Sequence, residues 1–291
     1  MIIVLTGPTG SGKSDLAIKL ANKINGAIIN ADAFQVYKEL NIASAKPSIE
    51  DRSKAPHYLF DFLDIRSDYD IYSYQKDLRR TIAELESVYP YLIIAGGTGL
   101  YIRSGLYDYD LTNSNHVDMS EYESLTNDEL YSKLLEIDPV SASKIHKNNR
   151  RRVIRAIEIY LSTGERKSDI ESTQSHSPIY PVRFFGLNKE REEVYKSCDA
   201  RVEKMFAQGL LKENQLLFEK YGYSPHAFQA IGVKETIPYF KGEASLEQTK
   251  ELIKLNTRHY VKRQLTFFAH QFDLEMVSGL EDLLAKIETN N

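Results

Sequence analysis

The stretch MIIVLTGPTGSGKSDLAIKLANKI (residues 1–24) decides the fold. A β-branched run that begins at Ile2 leads into GPTGSGKS (Gly7–Ser14), and a segment with apolar residues at helical spacing follows up to Ile24. A strand, a glycine-rich loop and a helix in this order are the setting in which G-x-x-x-x-G-K-[ST] forms a P-loop. We therefore predict a loop that binds a di- or triphosphate.

The residue types in this loop each have a chemical reason. Glycines allow consecutive backbone N–H groups to surround phosphate oxygens, and the helix N-terminus adds partial positive charge. Lys13 supplies a mobile cation, and the hydroxyl of Ser14 suits Mg²⁺, which we predict as the cofactor. The predicted diphosphate-binding residues are Gly7, Pro8, Thr9, Gly10, Ser11, Gly12, Lys13 and Ser14.

The bulk composition is that of a globular protein, with 42% hydrophobic and 27% charged residues among 291. No apolar run is long enough for a bilayer, the first strand starts at residue 2, and Cys198 is the single cysteine, so we expect a cytoplasmic protein. The net charge of −4 does not indicate a nucleic-acid binder. However, a basic cluster without acidic residues lies between Pro139 and Ile157, and such local patches can bind phosphates.

Strands and helices alternate along the first third of the chain. The patterns predict strands at Ala27–Asn30, Tyr58–Asp61 and Tyr91–Ala95, and a helix at Tyr74–Val88. This alternation is typical of a parallel α/β sheet with right-handed crossovers.

The pattern then changes. Asp108–Ser120 is polar and irregular, and Ser168–Pro178 is predicted to be a loop. Between them, helices are predicted at Asn127–Ile137, Val140–Ile145 and Asn149–Ser162; a strand at Val182–Leu187 and further helices follow. We predict a P-loop NTPase-like α/β core formed by residues 1–107 and 179–291, with a helical lobe, residues 108–178, inserted into it.

Polar residues beyond the strand ends are the candidates for chemistry. Asp32 follows the second strand and should lie on the same rim as the P-loop. It could cap a turn, or act as a base for a nucleophile that attacks beside the bound phosphates. Thr98, in the Gly96-Gly-Thr-Gly turn, could be a turn residue or, with the neighbouring glycine N–H groups, a phosphate donor. The basic cluster could be a solvated helix face or a contact for a phosphate backbone.

Eight segments together resemble the tRNA dimethylallyltransferase family, in order and over nearly the whole chain. They are GPTGSGKS (7–14), ADAFQVYKELNIASAKP (31–47), APHYLFD (55–61), IIAGGTGLYI (93–102), IDPVSASKIHKNNRRRVIRAIEIYLSTG (137–164), DARVEKMFAQGL (199–210), QAIGVKE (229–235) and VKRQLTFF (261–268). The absence of a Cys/His zinc element after the core favours a bacterial-type member. The family reads G-T-A-K-P where this chain has Ala43–Pro47, and serine where it has Ala33; residues 108–129 are shorter and more acidic than in the family.

The resemblance implies transfer of a dimethylallyl group from its diphosphate to N6 of the adenosine 3′-adjacent to the tRNA anticodon, with release of diphosphate. The implied partners are this diphosphate and the anticodon stem-loop, with no membrane and no obligate protein partner; we expect a monomer. The implied catalytic residues are Asp32, which accepts the N6 proton, and Lys13, Thr98 and Arg201, which stabilise the leaving diphosphate. The implied tRNA contacts are Asp32, Ala33, Phe34, Gln35, Thr98, Arg151, Arg152, Val153, Ile154, Arg155, Gln229 and Lys234.

Three other classes of function remain open. A small-molecule kinase also places an aspartate after the second strand, and Arg150–Arg155 could form its lid over ATP. A prenyltransferase that acts on free nucleotides would use the same chemistry without needing the inserted lobe. A non-catalytic RNA-binding protein could retain the P-loop without using it.

Overall fold

The computed structural model describes residues 1–109, 111 and 117–289. Its contacts divide the chain into two compact units. One unit is formed by Met1–Leu106 and Tyr180–Asn291, and the other by Tyr107–Ile179. The boundaries expected from the sequence, 107/108 and 178/179, lie within two residues of these.

The first unit contains a six-stranded sheet with the strand order β3-β2-β4-β1-β5-β6. All pairings are parallel, which confirms the predicted fold class. The central strand β1 pairs with β4 on one side and with β5 on the other. The strands are β1 (Ile2–Thr6), β2 (Gly26–Asn30), β3 (His57–Tyr58), β4 (Tyr91–Gly96), β5 (Val182–Leu187) and β6 (Glu275–Val277).

The helices α1 to α4 and α10 to α14 belong to the sheet unit, and α5 to α9 form the other unit. They are α1 (Lys13–Ile24), α2 (Ile49–Ser53), α3 (Ile71–Leu85), α4 (Gly99–Leu106), α5 (Ser120–Ser124), α6 (Asn127–Ile137), α7 (Pro139–Lys144), α8 (Arg150–Thr163), α9 (Lys167–Ser172), α10 (Arg191–Ala207), α11 (Leu210–Tyr221), α12 (Ile237–Phe240), α13 (Leu246–Gln271) and α14 (Leu280–Glu288). Among the described residues, no helix has the length and apolar character that crossing a bilayer requires.

One hydrophobic core of the sheet unit lies where α1 and α14 pack against the sheet. Leu20 of α1 and Leu283 of α14 are fully buried there together with Ile3 of β1. Each such side chain contributes roughly 1.5–3 kcal/mol through burial of apolar surface. This packing fixes α1, and with it the loop that precedes it.

The helical unit has an apolar core of its own. Leu130 and Leu134 of α6 pack against Val153 and Ile157 of α8, and all four are fully buried. Helix α6 begins with a capping box between Thr126 and Glu129, which satisfies two backbone N–H groups of its first turn. The inserted segment is therefore a folded unit.

Two predicted elements differ from the structure, and one strand of the structure had no prediction. Strand β3 ends at Tyr58 because Leu59 and Asp61 have φ angles of 60° and 59°, which are incompatible with an extended strand. Helix α9 occupies the first part of the predicted loop 168–178, since Asp138 binds the backbone and hydroxyl of Ser168 at its start. Strand β6 was not predicted. The predicted irregular segment 108–120 lies partly outside the described residues.

Candidate active site

The P-loop joins the carboxyl end of β1 to the first turn of α1. Gly10 and Gly12 have φ angles of 78° and 88°, in the left-handed region that residues with side chains rarely adopt. A Cβ at Gly10 would also lie 2.9 Å from Sγ of Cys198. The two glycines therefore let the loop turn into α1, whose N-terminal N–H groups suit an anion.

Thr9, at the tip of the loop, is held by two helices from the C-terminal part of the chain. Its Oγ1 accepts a hydrogen bond from Nη1 of Arg201 (2.9 Å), and its carbonyl accepts one from Sγ of Cys198 (3.3 Å). Its N–H donates to Oε1 of Gln264 on α13 (2.9 Å). Arg201 thus reaches the phosphate loop, although the sequence around it gave no local sign of this.

Lys13 is the first residue of α1, and its Nζ donates to the carbonyl of Pro8 (3.3 Å). Burial lowers the pKa of Lys13 to about 8; Asp32 counteracts this and Arg201 adds to it. Burial also lowers the pKa of Arg201, which still remains protonated at neutral pH. Lys13 and Arg201 carry two positive charges, and Asp32 is the one carboxylate that acts on both. The resulting excess of positive charge makes this loop suitable for a diphosphate.

Asp32 lies just beyond β2, in a segment fixed by Asn30. The fully buried Asn30 accepts the N–H of Asp32 (2.9 Å) and donates to the carbonyl of the same residue (3.1 Å). Oδ1 of Asp32 accepts the N–H of Phe34 (3.0 Å), which is a turn cap, the simpler of the two roles that the sequence left open. Because this bond uses one carboxylate oxygen, the second oxygen can still accept a proton.

Thr98 supports the same segment from the end of β4. Its hydroxyl oxygen accepts the N–H of Ala33 (3.0 Å), and its own N–H donates to the carbonyl of Ala31 (3.0 Å). The hydroxyl of Thr98 therefore lies beside Asp32, where its proton can be donated to another group. A contact between this hydroxyl and a phosphate stays a prediction.

The glycines around Thr98 are required by close packing. A Cβ at Gly96 would come within 2.2 Å of the backbone of Ala31, and one at Gly97 within 2.3 Å of Nε2 of Gln264. These distances are far shorter than any real Cβ contact. Neighbouring backbone and helix α13 thus exclude a side chain at both glycines. Phosphate donation by their N–H groups, one of the two roles left open for this turn, stays a prediction.

Two cavities of the sheet unit share Thr9, Asp32 and Arg201. The first, of about 50 Å³, lies against the P-loop and is also lined by Lys13, Ser14, Gln35 and His57. The second, of about 200 Å³, is also lined by Phe34, Gln229, Lys234 and Tyr260. The side chains of Thr9, Lys13 and Ser14 in the predicted phosphate loop, and most of the residues predicted in this unit to bind RNA, therefore line cavities that share one carboxylate and one guanidinium.

A metal ion would find oxygen ligands in the first cavity. The Ser14 hydroxyl and the Asp32 carboxylate both line it. Within the described part of the chain, no group of three or more His, Cys, Asp or Glu side chains could hold a metal. Mg²⁺ commonly binds through one or two protein oxygens, several waters and substrate phosphates, so these residues fit an ion that arrives with a diphosphate.

Helix α8 of the helical unit carries the predicted arginines. Arg151, Arg152 and Arg155 are exposed, and Arg155 pairs with Glu158 (2.7 Å). Val153 is fully buried in the core of this unit, and Ile154 is half-buried against it. The predicted tRNA contact of Val153 is therefore not one that its side chain can make.

Arg150, the first residue of the possible ATP lid at 150–155, has a structural role. Its guanidinium donates to the carbonyls of Leu125 (2.7 Å) and Glu123 (2.6 Å), at the end of α5. These bonds satisfy carbonyls that a helix end leaves free. Arg150 therefore closes the α5–α6 turn and is not available to a ligand.

Sequence reasoning missed four residues of the site. Asn30 could have been found, because it is a polar residue at the end of a buried strand. Tyr260 and Gln264 gave no local signal; burial raises the pKa of Tyr260 to about 12, so its hydroxyl stays protonated. His57 bonds the carbonyl of Ala55 through Nδ1 (2.7 Å), and burial lowers its pKa, so its imidazole is neutral at pH 7.

The parallel sheet and the P-loop at the end of its central strand define an α/β protein of the P-loop class. Within this class the chain belongs to the tRNA dimethylallyltransferase family, since a family model described as IPP transferase matches residues 35–271. It is 42% identical to tRNA dimethylallyltransferase 1 of Citrifermentans bemidjiense, over 94% of this chain and 90% of that protein. It is 40% identical to the tRNA dimethylallyltransferase of Anoxybacillus flavithermus, over 99% and 94%. The protein is accordingly a transferase.

Solved structures agree with this assignment. The tRNA delta(2)-isopentenylpyrophosphate transferase of Staphylococcus epidermidis superposes with a TM-score of 0.73 at 36% identity, covering 99% of this chain and 97% of that one. A eukaryotic dimethylallyltransferase, solved in the course of acting on tRNA, superposes with a TM-score of 0.84 at 29% identity. That comparison covers 99% of this chain and 77% of the other.

Proposed function

We propose that this protein transfers a dimethylallyl group from dimethylallyl diphosphate to N6 of the adenosine 3′-adjacent to the anticodon of a tRNA, and releases diphosphate. The observation that carries the proposal is the position of Asp32 and Arg201 in both cavities. One cavity adjoins the phosphate loop, and the other has the size for a base and a lining that combines apolar side chains with polar ones such as Gln229 and Tyr260. The names of the relatives support tRNA as the acceptor and a dimethylallyl or isopentenyl group as the group transferred.

On the donor side, the chain's own cations stabilise the leaving group. As the allylic C–O bond breaks, the bonding electrons leave with the diphosphate, and the allylic carbon gains positive charge. Lys13, Arg201 and the N–H groups at the start of α1 neutralise the negative charge that develops. Mg²⁺, held by the Ser14 hydroxyl and near the Asp32 carboxylate, would supply further neutralisation when bound.

On the acceptor side, Asp32 receives the proton. The N6 amine forms a bond to the allylic carbon and loses one hydrogen as a proton to the carboxylate oxygen that Phe34 leaves free. Asn30 and Thr98 hold the Asp32 segment on both sides, so the base needs little reorganisation during the reaction. Because an exocyclic amine is a weak nucleophile, alignment with the allylic carbon supplies much of the rate.

The RNA side requires the adenine to leave the stack of the anticodon loop and enter the second cavity, a form of base flipping. We propose that Ala33, Phe34, Gln35, Gln229 and Lys234 contact the flipped base and its neighbours. Exposed arginines at 151, 152 and 155 of α8 would bind backbone phosphates, in line with their charge and exposure. We further propose that the enzyme acts as a monomer, in the cytoplasm.

The deciding experiment uses dimethylallyl diphosphate labelled in the prenyl group. The acceptors are unmodified tRNA for codons that begin with U, the same tRNA without the target adenosine, and AMP. Label in the first tRNA alone supports the proposal, whereas label in AMP moves the protein to the class that modifies free nucleotides. Transfer of phosphate from labelled ATP to a small alcohol, with no prenyl transfer, would establish the kinase alternative instead.

Variants assign the roles in the same assay. Asp32→Ala should leave tRNA binding nearly intact and lower turnover by roughly 10²–10⁴-fold, as expected for a lost general base. Asp273→Asn, which changes an exposed aspartate after α13, is the matched control and should turn over at the wild-type rate. Unchanged turnover of the Asp32 variant would remove this residue from the mechanism.

A further inference from the structure

Gln264 of α13 is a buried side chain whose two amide atoms bind two different loops. It is 4% exposed. Its Oε1 accepts the N–H of Thr9 in the P-loop (2.9 Å), and its Nε2 donates to the carbonyl of Gly97 after β4 (2.8 Å). The two partners are 255 and 167 positions away in the chain, so this contact exists only in the folded protein.

The partners fix the orientation of the amide. Thr9 offers an N–H, which can only donate, and Gly97 offers a carbonyl, which can only accept. A flipped amide would place N–H against N–H and oxygen against oxygen. The amide of Gln264 therefore has one orientation, in which it bridges the two loops by direct hydrogen bonds.

The contact continues to the base. The residue after Gly97 is Thr98, whose N–H donates to Ala31 and whose hydroxyl accepts from Ala33 (both 3.0 Å). These two residues flank Asp32. Hydrogen bonds and one stretch of backbone thus connect the P-loop, through Gln264 and the residues Gly97 and Thr98 after β4 (the β4 turn), to the segment that carries the Asp32 carboxylate.

We propose that Gln264 is a positioning residue that sets the distance between the diphosphate held by the P-loop and the carboxylate of Asp32. The inference rests on the proposed transfer reaction, in which leaving group and proton acceptor must be held on either side of one allylic carbon. Gln264 acts through Thr9 and Gly97 and needs no contact with substrate. Glycine at 97 follows from the same arrangement, because a Cβ there would come within 2.3 Å of Nε2 of Gln264.

The two closest replacements behave differently under this proposal. Gln264→Met keeps the length and loses both hydrogen bonds at every pH. Gln264→Glu keeps an acceptor for the N–H of Thr9. Its ionised form has no proton to donate to the carbonyl of Gly97, so two oxygens repel each other there, and it adds a negative charge near the diphosphate. When protonated, the carboxyl has the same donor and acceptor arrangement as the amide, and burial favours that protonated form.

The experiment measures three quantities in the full-length protein: the Kd of inorganic pyrophosphate with Mg²⁺, kcat with the KM of tRNA, and hydrogen exchange of the segment 31–37. Gln264→Met should raise the Kd of pyrophosphate about tenfold, because the P-loop loses one buried hydrogen bond. It should lower kcat about a hundredfold through misplacement of the reacting groups, with little change in the KM of tRNA. Exchange in 31–37 should become faster.

The pH dependence separates positioning from simple loss of structure. For Gln264→Glu, kcat relative to wild type should rise as the pH is lowered from about 8 to about 6, while the ratio for Gln264→Met stays flat. Gln215→Met on α11, which replaces an exposed glutamine, controls for the substitution itself and should match wild type. If the Gln264 variants fail to fold, Gly97→Ala, which displaces the amide without removing it, should reproduce the loss of pyrophosphate binding and the faster exchange.

Wild-type pyrophosphate affinity and wild-type exchange in 31–37 for Gln264→Met would overturn the inference. So would a pH-independent ratio for Gln264→Glu, or a loss of pyrophosphate affinity with unchanged kcat. If the wild-type protein transferred no prenyl group, the proposed function would fail by itself. Pyrophosphate binding and hydrogen exchange would then still decide whether Gln264 links the two loops.

Discussion

Replacing Asp138 by asparagine tests whether the helical unit folds independently and whether it binds tRNA. Asp138 lies between α6 and α7 and is fully buried. Its Oδ1 accepts the N–H of Ser141 (2.9 Å) and the hydroxyl of Ser168 (2.7 Å), and its Oδ2 accepts the N–H of Ser168 (3.0 Å). An asparagine keeps one acceptor and turns an NH₂ group toward a donor.

The size of the effect follows from the pKa. Burial by itself raises the pKa of Asp138, but the hydrogen bonds from Ser141 and Ser168 outweigh burial and lower the pKa from 3.8 to about 2. A folded-state pKa below the unfolded one means stability that is present above about pH 4 and lost as the pH falls toward 2. A shift of this size corresponds to about 2 kcal/mol of unfolding free energy at pH 7.

Hydrogen exchange of α6 to α9 is the direct assay. At pH 7, Asp138→Asn should speed exchange in these helices about thirtyfold, the equivalent of about 2 kcal/mol, and leave exchange in α1 and the sheet unchanged. If α8 carries the phosphate contacts, tRNA binding should weaken while pyrophosphate binding stays at the wild-type level. Asp169→Asn, at an exposed position of α9, is the control.

Two results would refute this reasoning. One is equal exchange in the variant and the wild type at pH 7. The other is a difference in unfolding free energy, measured with urea, that does not shrink as the pH falls from about 4 to about 2, because protonation of the wild-type carboxyl should then remove its advantage.

The remaining predictions concern charge at the two substrate sites. A bound anion raises the pKa of Lys13 above its value of about 8, so pyrophosphate binding should weaken as the pH rises past 8 and should be accompanied by uptake of a proton. Calorimetry in buffers of different ionisation enthalpy can detect this uptake. Binding without proton uptake at pH 9 would contradict the assignment. Charge reversal of Arg151 and Arg152 should weaken tRNA binding and flatten its dependence on salt, and equal salt slopes would make α8 only a solvated face. Arg150→Ala should instead loosen the α5–α6 turn, measured as faster hydrogen exchange in residues 120–130; unchanged exchange there would refute its structural role.

The local parts of the fold could be predicted from the sequence. Strand β5 and helix α6 have the predicted bounds, and β1, α1, β2 and β4 agree to within a few residues, because alternation and helical spacing are visible in short windows. Helix α9 could not be predicted, since its first turn is stabilised by Asp138, 30 positions away. Strand β6 has three residues and forms only because β5 offers a free edge.

The candidate site likewise has residues that the sequence predicts and residues that it does not. The P-loop and Asp32 follow from a motif and a strand end, both of which are local. Gln264 and Tyr260 lie on a helix whose pattern allows an ordinary amphipathic role, and their contacts with the β4 turn come only from the tertiary fold. Val153 was assigned to tRNA with its neighbours because motif matching transfers a whole segment, whereas a helix turns every third or fourth residue toward its own core.

The distance in sequence between Thr9 and its anchor has a consequence during synthesis on the ribosome. At about 5–20 residues per second, the 255 positions that separate Thr9 from Gln264 take on the order of 10–50 s to translate. Until then the nascent phosphate loop lacks the contact that fixes its tip, and until β5 emerges the central strand β1 is an open edge. A product of premature termination before residue 264 would therefore be a poor diphosphate binder, and one that stops before residue 182 would expose a hydrophobic strand edge prone to aggregation.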